Sequence, residues 1–291
     1  MITVALIGCG RIGRLHAANL TRRVAGARLA LLADVNVAAA RACAEELGVP
    51  EVVEDYRAAL ERPDVDAVVI CSATDTHAEI IEAAAAAGKH IFCEKPIDLS
   101  LERIDRALAA VERAGVTLQI GFNRRFDASF RRVRQAVERG EIGEPHQLHI
   151  TSRDPAPPPI GYVRASGGIF MDMTIHDFDM ARFLIGREVE EVYATGGVLV
   201  DPAIGAAGDL DTTLVVLRFA GGTIGTIENS RRAVYGYDQR VEVFGSAGSA
   251  RADNHYPNAA LISTAESVRR DLPLNFFLER YAESFVAEMQ A

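Results

Sequence analysis

A chain of 291 residues that is 49% hydrophobic, 24% charged and 7% aromatic is long enough for two domains and can bury a substantial core. Its formal net charge of −9 argues against nucleic acid as a partner, because phosphate binding needs a clustered basic surface. No apolar run approaches the roughly 20 residues that span a bilayer. Met1-Ile2-Thr3-Val4 enters a strand pattern directly, with no basic n-region or cleavage site. The four cysteines, Cys9, Cys43, Cys71 and Cys93, show neither CxxC nor paired spacing; this points to a reducing, cytoplasmic setting and to no metal or disulfide framework.

Ile2 to Ile7 is a short apolar run, the pattern of a strand buried on both faces. It ends in Gly8-Cys9-Gly10-Arg11-Ile12-Gly13, and a helical pattern follows through about Arg23. A second apolar strand, Arg28 to Ala33, is closed by Asp34. A lone GxGxxG is weak, but here it follows a strand, opens a helix and is succeeded about 20 residues later by an acid, the dinucleotide-binding arrangement. Gly8 serves the tight turn, Gly10 the close approach of pyrophosphate, and Gly13 the packing of helix on strand. Unpaired N–H groups at the helix start, near Arg11 and Ile12, suit the phosphates. Asp34 suits the ribose hydroxyls, and with no cation at Val35 or Asn36 to meet a 2′-phosphate the cofactor is NAD rather than NADP. Asp34 is equally a candidate helix N-cap.

Strands at Asp66–Cys71, His90–Cys93 and Thr117–Ile120 alternate with helices at Ala78–Ala87 and about Leu101–Ala114. That alternation predicts βαβ units and a parallel sheet, an α/β doubly wound dinucleotide-binding domain over residues 1–121. Ligands of such sheets lie outside the carboxyl ends of the strands. The segments leaving that edge, Ser72 to His77 and Glu94-Lys95-Pro96, therefore face the cofactor. Ser72, Thr74, His77, Glu94 and Lys95 are the candidate contacts, with helix capping an alternative for Ser72 and Thr74. Of 31 Lys+Arg only two, Lys89 and Lys95, are lysines. A lysine amine can shift its pKa and release a proton where an arginine cannot, so Lys95 beside Glu94 and Pro96 is singled out.

After Gly121 the rhythm changes. A helix at about Asp127–Arg139 and a strand at His146–Ser152 precede the rigid proline-rich loop Asp154 to Pro159. Strand patterns follow at Val189–Val200, Asp211–Phe219, Gly222–Asn229 and Gln239–Phe244, with Gly221-Gly222 a hairpin signal. Consecutive strands without helices between them predict an α+β second domain, residues 122–291, with an open, largely antiparallel sheet whose broad face is a candidate subunit interface. Asp172 and His176 are four residues apart, so on a helix they share a face. Their open readings are catalysis, a cap with a core histidine, or metal ligation for which no third ligand presents itself.

Taken together, these pieces resemble the family of glucose–fructose oxidoreductases and inositol dehydrogenases, within it most closely the inositol 2-dehydrogenases. The resemblance covers nearly the whole chain. It rests on GxGxxG, Glu94-Lys95-Pro96, Gly121 to Asp127, Ser152 to Pro155, Gly168 through Arg182 and Ser230 to Asp238. It implies NAD-dependent oxidation of myo-inositol to 2-keto-myo-inositol (scyllo-inosose) by hydride transfer, without metal. The alternatives are another cyclic polyol or sugar, such as scyllo-inositol or glucose, and a non-catalytic NAD-binding regulatory protein. By match to the motifs, His176 removes the hydroxyl proton, Lys95 binds that hydroxyl and stabilises its developing charge, and Asp172 orients and tunes the pair. Asn123, Arg124, Asp154 and Tyr235 are the implied polyol contacts, and a homo-tetramer through the C-terminal sheet the implied assembly. The helical pattern Leu278 to Met289 is still running at Ala291 with no stop signal, where family members usually continue; the open readings are a truncated chain and a frayed natural terminus.

Overall fold

The first strand and the glycine turn set the register of the N-terminal half. In the computed structural model, which describes residues 1–291, β1 (Ile2–Ile7) is buried from Thr3 onward and leads into α1 (Arg11–Arg22). Next come β2 (Ala27–Ala33), α2 (Val37–Leu47), β3 (Glu51–Val53), α3 (Tyr56–Leu60), β4 (Ala67–Ile70), α4 (Thr74–Ala86), β5 (His90–Glu94), α5 (Leu101–Ala114) and β6 (Leu118–Gly121). The six strands pair in parallel in the order β3-β2-β1-β4-β5-β6. Strand order therefore reverses between β1 and β4, the switch point at which such sheets bind ligands. The strands read as unbroken apolar runs because both faces are covered. Leu31, Val68, Ile70 and Ile81 share one core, while Leu6, Leu20, Leu32 and Phe92 share the other. Burying each such side chain stabilises by about 1.5–3 kcal/mol.

The second sheet has a different logic. After α6 (Ala128–Glu138) come β7 (Pro145–Arg153), α7 (Ile160–Ala165), α8 (Ile175–Ile185), β8 (Val189–Gly197), α9 (Pro202–Ala206), β9 (Thr212–Phe219), β10 (Ile224–Ser230), β11 (Asp238–Gly245) and β12 (Gly248–Ala252). The order is β12-β11-β7-β10-β9-β8, antiparallel except for the parallel pair β7–β10. Gly221 and Gly222, both at positive φ, make the turn between β9 and β10. Along β9 buried and exposed residues alternate, as expected where only one face is covered. A two-stranded ribbon, β13 (Ile262–Ser263) with β14 (Val268–Arg269), precedes α10 (Phe277–Arg280) and α11 (Ala282–Gln290).

The chain divides into two units, residues 1–122 with 285–291, and residues 123–284. The division expected after Gly121 thus falls one residue later, and the last seven residues, expected in the second unit, group with the first. The cause is local. Val286 is buried in the core beside α1, and the Gln119 amide on β6 donates to the Glu288 carbonyl at 2.8 Å.

Candidate active site

At the carboxyl edge of the first sheet, Gly8 has φ +95°, and a Cβ there would lie 2.5 Å from the Ser72 nitrogen. At Gly13 a Cβ would stand 1.8 Å from the Gly8 carbonyl oxygen. The roughly 1 kcal/mol that glycine costs inside a helix is small beside that clash. Around Gly10, by contrast, no protein atom would lie within 4 Å of a Cβ, so the backbone is open to a ligand at the N-terminus of α1. The Asp34 carboxylate ties the turn down by accepting from the Cys9 amide at 2.5 Å and the Asn36 amide at 2.7 Å. The cap of α2 is Asn36, which accepts from the Ala39 amide; Asp34 does not cap, because its oxygens serve the glycine turn. A cleft of about 460 Å³ opens here, with Gly8, Gly10, Asp34, Val35 and Ser72 in its wall. Its titratable side chains include Asp34, Glu54 and Glu79 but no lysine or arginine. Room for a pyrophosphate and a carboxylate at the end of β2 fit a dinucleotide without a 2′-phosphate.

The next strand ends carry the other candidates of this unit. The cap residue of α4 is Ala73, with no side-chain cap bond, so neither Ser72 nor Thr74 caps the helix. The Ser72 hydroxyl instead pairs with that of Thr76 at 2.7 Å. His77 does not present its ring to the cleft. It is buried, with Nδ1 2.8 Å from the Pro96 carbonyl oxygen and Nε2 3.0 Å from that of Ser72; it ties together the two loops that leave β4 and β5. Glu94, the last residue of β5, turns inward, and its Oε1 lies 2.7 Å from Nε2 of His16 on α1. Lys95 follows, half-buried and joined to Pro96 by a cis peptide bond.

In the second unit the stretch carrying Asp172 and His176 is helical but not uniformly α. Phe170–Thr174 forms a π turn that runs into α8, whose second residue is His176. Single π turns recur at functional sites because they re-aim side chains within a helix. Asp172 accepts from the Tyr162 hydroxyl at 2.8 Å and from the Arg231 guanidinium at 2.8 Å. Arg231 is only 2% exposed and also donates to Asp154 at 3.4 Å. Burial alone would lower the Arg231 pKa, but the Asp172 and Asp154 charges outweigh it and raise it. Burial pushes the Asp154 carboxyl up to about 6; Arg231 opposes this and the Asp172 charge adds to it. Asp154 and Asp172 thus share one buried cation.

The other candidates of this unit sit differently. Arg124, expected at a polyol, is buried and spends its guanidinium on Asp177 at 2.6 Å and Ser152 at 3.4 Å. Asp177 in turn accepts from the Asn229 amide at 2.7 Å. An isolated buried charge is costly, and this pairing makes Arg124 a structural link between α8 and the sheet. Asn123 is buried beside it. The Tyr235 hydroxyl donates to Asp238 at 2.6 Å and accepts from Arg153 at 2.8 Å. It lines a separate polar pocket of about 350 Å³ with Arg240, Asn254 and Tyr256. Three residues to which the sequence assigned no role emerge in these clusters: Arg231, Tyr162 and His16. Only His16 carried a signal, one helical turn beyond Gly13 on the face turned to the sheet.

Residues 2–122 match the oxidoreductase family with NAD-binding Rossmann fold, and residues 130–251 the GFO/IDH/MocA C-terminal domain. The chain is 53% identical over 287 residues to a myo-inositol 2-dehydrogenase of Thermotoga maritima, covering 99% of this chain and 86% of the relative. Its fold is similar to the crystal structure of a myo-inositol dehydrogenase from Corynebacterium glutamicum, with TM-score 0.94, 43% identity and coverage of 99% and 86%. It is also similar to a scyllo-inositol dehydrogenase of Lactobacillus casei solved with NAD(H) and scyllo-inositol, with TM-score 0.92, 34% identity and coverage of 100% and 87%. A parallel sheet with a glycine turn shaped for a dinucleotide, followed by a mixed sheet beginning at β7, is thus what these relatives share with it, and the chain belongs to the GFO/IDH/MocA family of NAD-binding oxidoreductases.

Proposed function

We propose that this protein oxidises myo-inositol at one secondary alcohol to 2-keto-myo-inositol (scyllo-inosose). When bound, NAD supplies the hydride acceptor. The His176 imidazole takes the hydroxyl proton, because a secondary alcohol is too weak an acid to lose hydride without a base whose pKa lies near the working pH. The Lys95 ammonium binds the same hydroxyl and stabilises the charge that grows on its oxygen. Asp172 orients the pair. The observation that carries this reading is the Asp172 carboxylate itself, fixed by the Tyr162 hydroxyl and the buried Arg231 one turn before His176. Asp154, on the same guanidinium, is the favoured polyol contact, with Asn123 and Tyr235 as further ones. The cofactor contacts are Gly8, Gly10, Arg11, Ile12, Gly13, Asp34, Ser72, Thr74, Glu94 and Lys95.

Scyllo-inositol is a second substrate candidate, because a relative 34% identical was solved with it bound. A non-catalytic NAD-binding role is disfavoured by the presence of Lys95, Asp172 and His176 together. We also infer a cytoplasmic setting, supported by four unpaired cysteines. No helix is long and apolar enough to cross a membrane. Assembly as a homo-tetramer is supported by the apolar outer face of the second sheet, where Tyr193, Leu214, Val216 and Ile224 are exposed.

The test is NADH formation with NAD or NADP and a panel of myo-inositol, scyllo-inositol and glucose. NAD-dependent turnover of myo-inositol is expected. Lys95→Ala should lower kcat at least about 100-fold while NAD binding, read by titration, stays near that of the parent. Turnover of another polyol alone would replace the substrate, and near-normal turnover by Lys95→Ala would remove its role.

A further inference from the structure

The chemistry above leaves one buried acid unused. Glu288, on α11, is 1% exposed, and neither of its carboxyl oxygens has a hydrogen-bond partner. One ligand-type atom each of Glu288, Glu94 and His16 lie within 4.8 Å of one another. His16 is fully buried, with the Phe92 and Phe285 rings edge-on at 5.2 and 5.7 Å. The other titratable neighbours are the thiols of Cys71, beyond β4, and Cys93, on β5. With both carboxyls ionised, the site would hold two negative charges against at most one imidazolium. An uncompensated buried charge is costly, so either a proton on Glu288 or a metal ion among the three side chains must relieve it.

The geometry chooses between them. Two ligands of one ion, each at about 2.0–2.2 Å, stand about 3 Å or more apart. His16 Nε2 and Glu94 Oε1 are 2.7 Å apart, the spacing of a charge-assisted hydrogen bond. Glu94 is also confined from the next strand, since a Cβ at Gly121 would lie 3.0 Å from its Oε2. The Gln119 amide holds the Glu288 carbonyl at 2.8 Å and so fixes that turn of α11 against β6.

We propose that Glu288 is a positioning residue whose neutral carboxyl, lodged beside the His16–Glu94 pair, holds Glu94 at the end of β5 and so sets the placement of the adjoining Lys95. Burial, and next the Glu94 charge, push Glu288 to about 10, which keeps it neutral across the working range. The catalytic consequence rests on the role proposed for Lys95; the protonation of Glu288 does not.

The test compares Glu288→Gln and Glu288→Leu with the parent protein in kcat, KM, NAD affinity, the pH profile of kcat and melting temperature. Glutamine keeps the neutral polar shape, so its kcat should remain within about threefold of the parent. Leucine removes the polar carboxyl lodged beside the His16–Glu94 pair, so kcat should fall roughly 10- to 100-fold, more than NAD affinity does, with the pH profile shifted. Folded Glu288 keeps its proton until about pH 10, from an ordinary value of 4.5. Its contribution to stability is therefore complete below about 4.5 and is lost as pH rises towards 10. Glutamine has no proton to lose, so its melting temperature relative to the parent should climb steadily from pH 6 to pH 9. A leucine variant with the parent's kcat and pH profile would overturn the positioning role. A glutamine variant that is destabilised at every pH, together with stoichiometric divalent metal released from the parent on chelation, would establish a metal site instead. Should leucine fail to fold, the glutamine comparison still decides the charge state. Should the parent turn over no polyol, the proposed function fails, while the melting series still reads the proton on Glu288.

Discussion

Arg231 and Lys95 show how unevenly single residues announce themselves. Lys95 stands out because it is one of two lysines among 31 basic residues, and a rare residue type carries information. Arg231 is one of the many arginines, yet it is the buried cation on which Asp154 and Asp172 converge. Nothing in local spacing foretells such a convergence, because it joins the loop before α7, the π turn and the end of β10. Asp154 offers the sharper test of this cluster. Its folded pKa is raised from 3.8 to about 6, first by burial. Its contribution to stability is therefore complete below about 3.8 and is lost as pH rises through about 6. Asp154→Asn should gain on the parent above pH 6, by at most about 3 kcal/mol at the full shift, since the side chain is one-quarter exposed. Thermal melts at pH 4, 5, 6, 7 and 8 should show the difference between variant and parent growing up to about pH 6 and levelling off above it. A constant difference would mean that Asp154 is not perturbed in the folded protein. If Asp154 binds the polyol, the same variant should raise KM for it while leaving NAD affinity unchanged.

Among the elements, the strand–turn–helix at the N-terminus was legible in full, because each glycine answers a separate steric demand. The demands are distinguishable by substitution. Gly13→Ala would put a methyl group 1.8 Å from the Gly8 carbonyl oxygen, so α1 must lift from β1. A loss of about 1–3 kcal/mol or more is expected, seen as a lower denaturation midpoint without NAD. Gly10→Ala meets no protein atom within 4 Å, so the fold should hold within about 0.5 kcal/mol while NAD affinity drops. Equal melting temperatures for the two variants would deny these roles. Elsewhere the elements were readable in proportion to their length. β3 has three residues and α3 five, too few to show a period. α7, of six residues, follows directly on a proline run that reads as loop. The π turn at Phe170–Thr174 keeps a helical pattern while changing where Asp172 points, and spacing alone does not distinguish it from α-helix.

At the scale of the whole molecule, the alternation of strands and helices, then strands alone, was enough to foresee a parallel sheet followed by a mixed one. The return of residues 285–291 to the first unit was not, since it depends on contacts between residues far apart in the chain, Val286 in the core beside α1 and Glu288 bonded by Gln119. The second sheet also leaves apolar residues of one face exposed in the single chain, the face on which the proposed assembly would form. Register aligns Tyr193 with Val216, Val216 with Thr226, Thr226 with His149 and His149 with Glu242, a row crossing five strands. Tyr193 and Val216 in that row, with Leu214, Ile224 and Phe244 beside it, are exposed. Tyr193, Leu214, Val216 and Ile224 are neighbours on this face, an apolar cluster of the kind that self-association covers, and a symmetric assembly would use the same cluster on each copy. Charges placed there should be tolerated by the isolated fold, because Leu214 and Val216 already face solvent in the single chain. Leu214→Asp combined with Val216→Asp should therefore lower the mass measured by sedimentation equilibrium below that of the parent assembly. Asp172 and His176 lie on helical turns rather than on this sheet, and the dinucleotide turn belongs to the first unit, so NAD affinity should remain, and any loss of melting temperature should depend on protein concentration, as expected when association contributes to stability. An unchanged mass would place the interface elsewhere. A lower mass with a concentration-independent fall in melting temperature would mean that the face stabilises the single chain rather than its assembly.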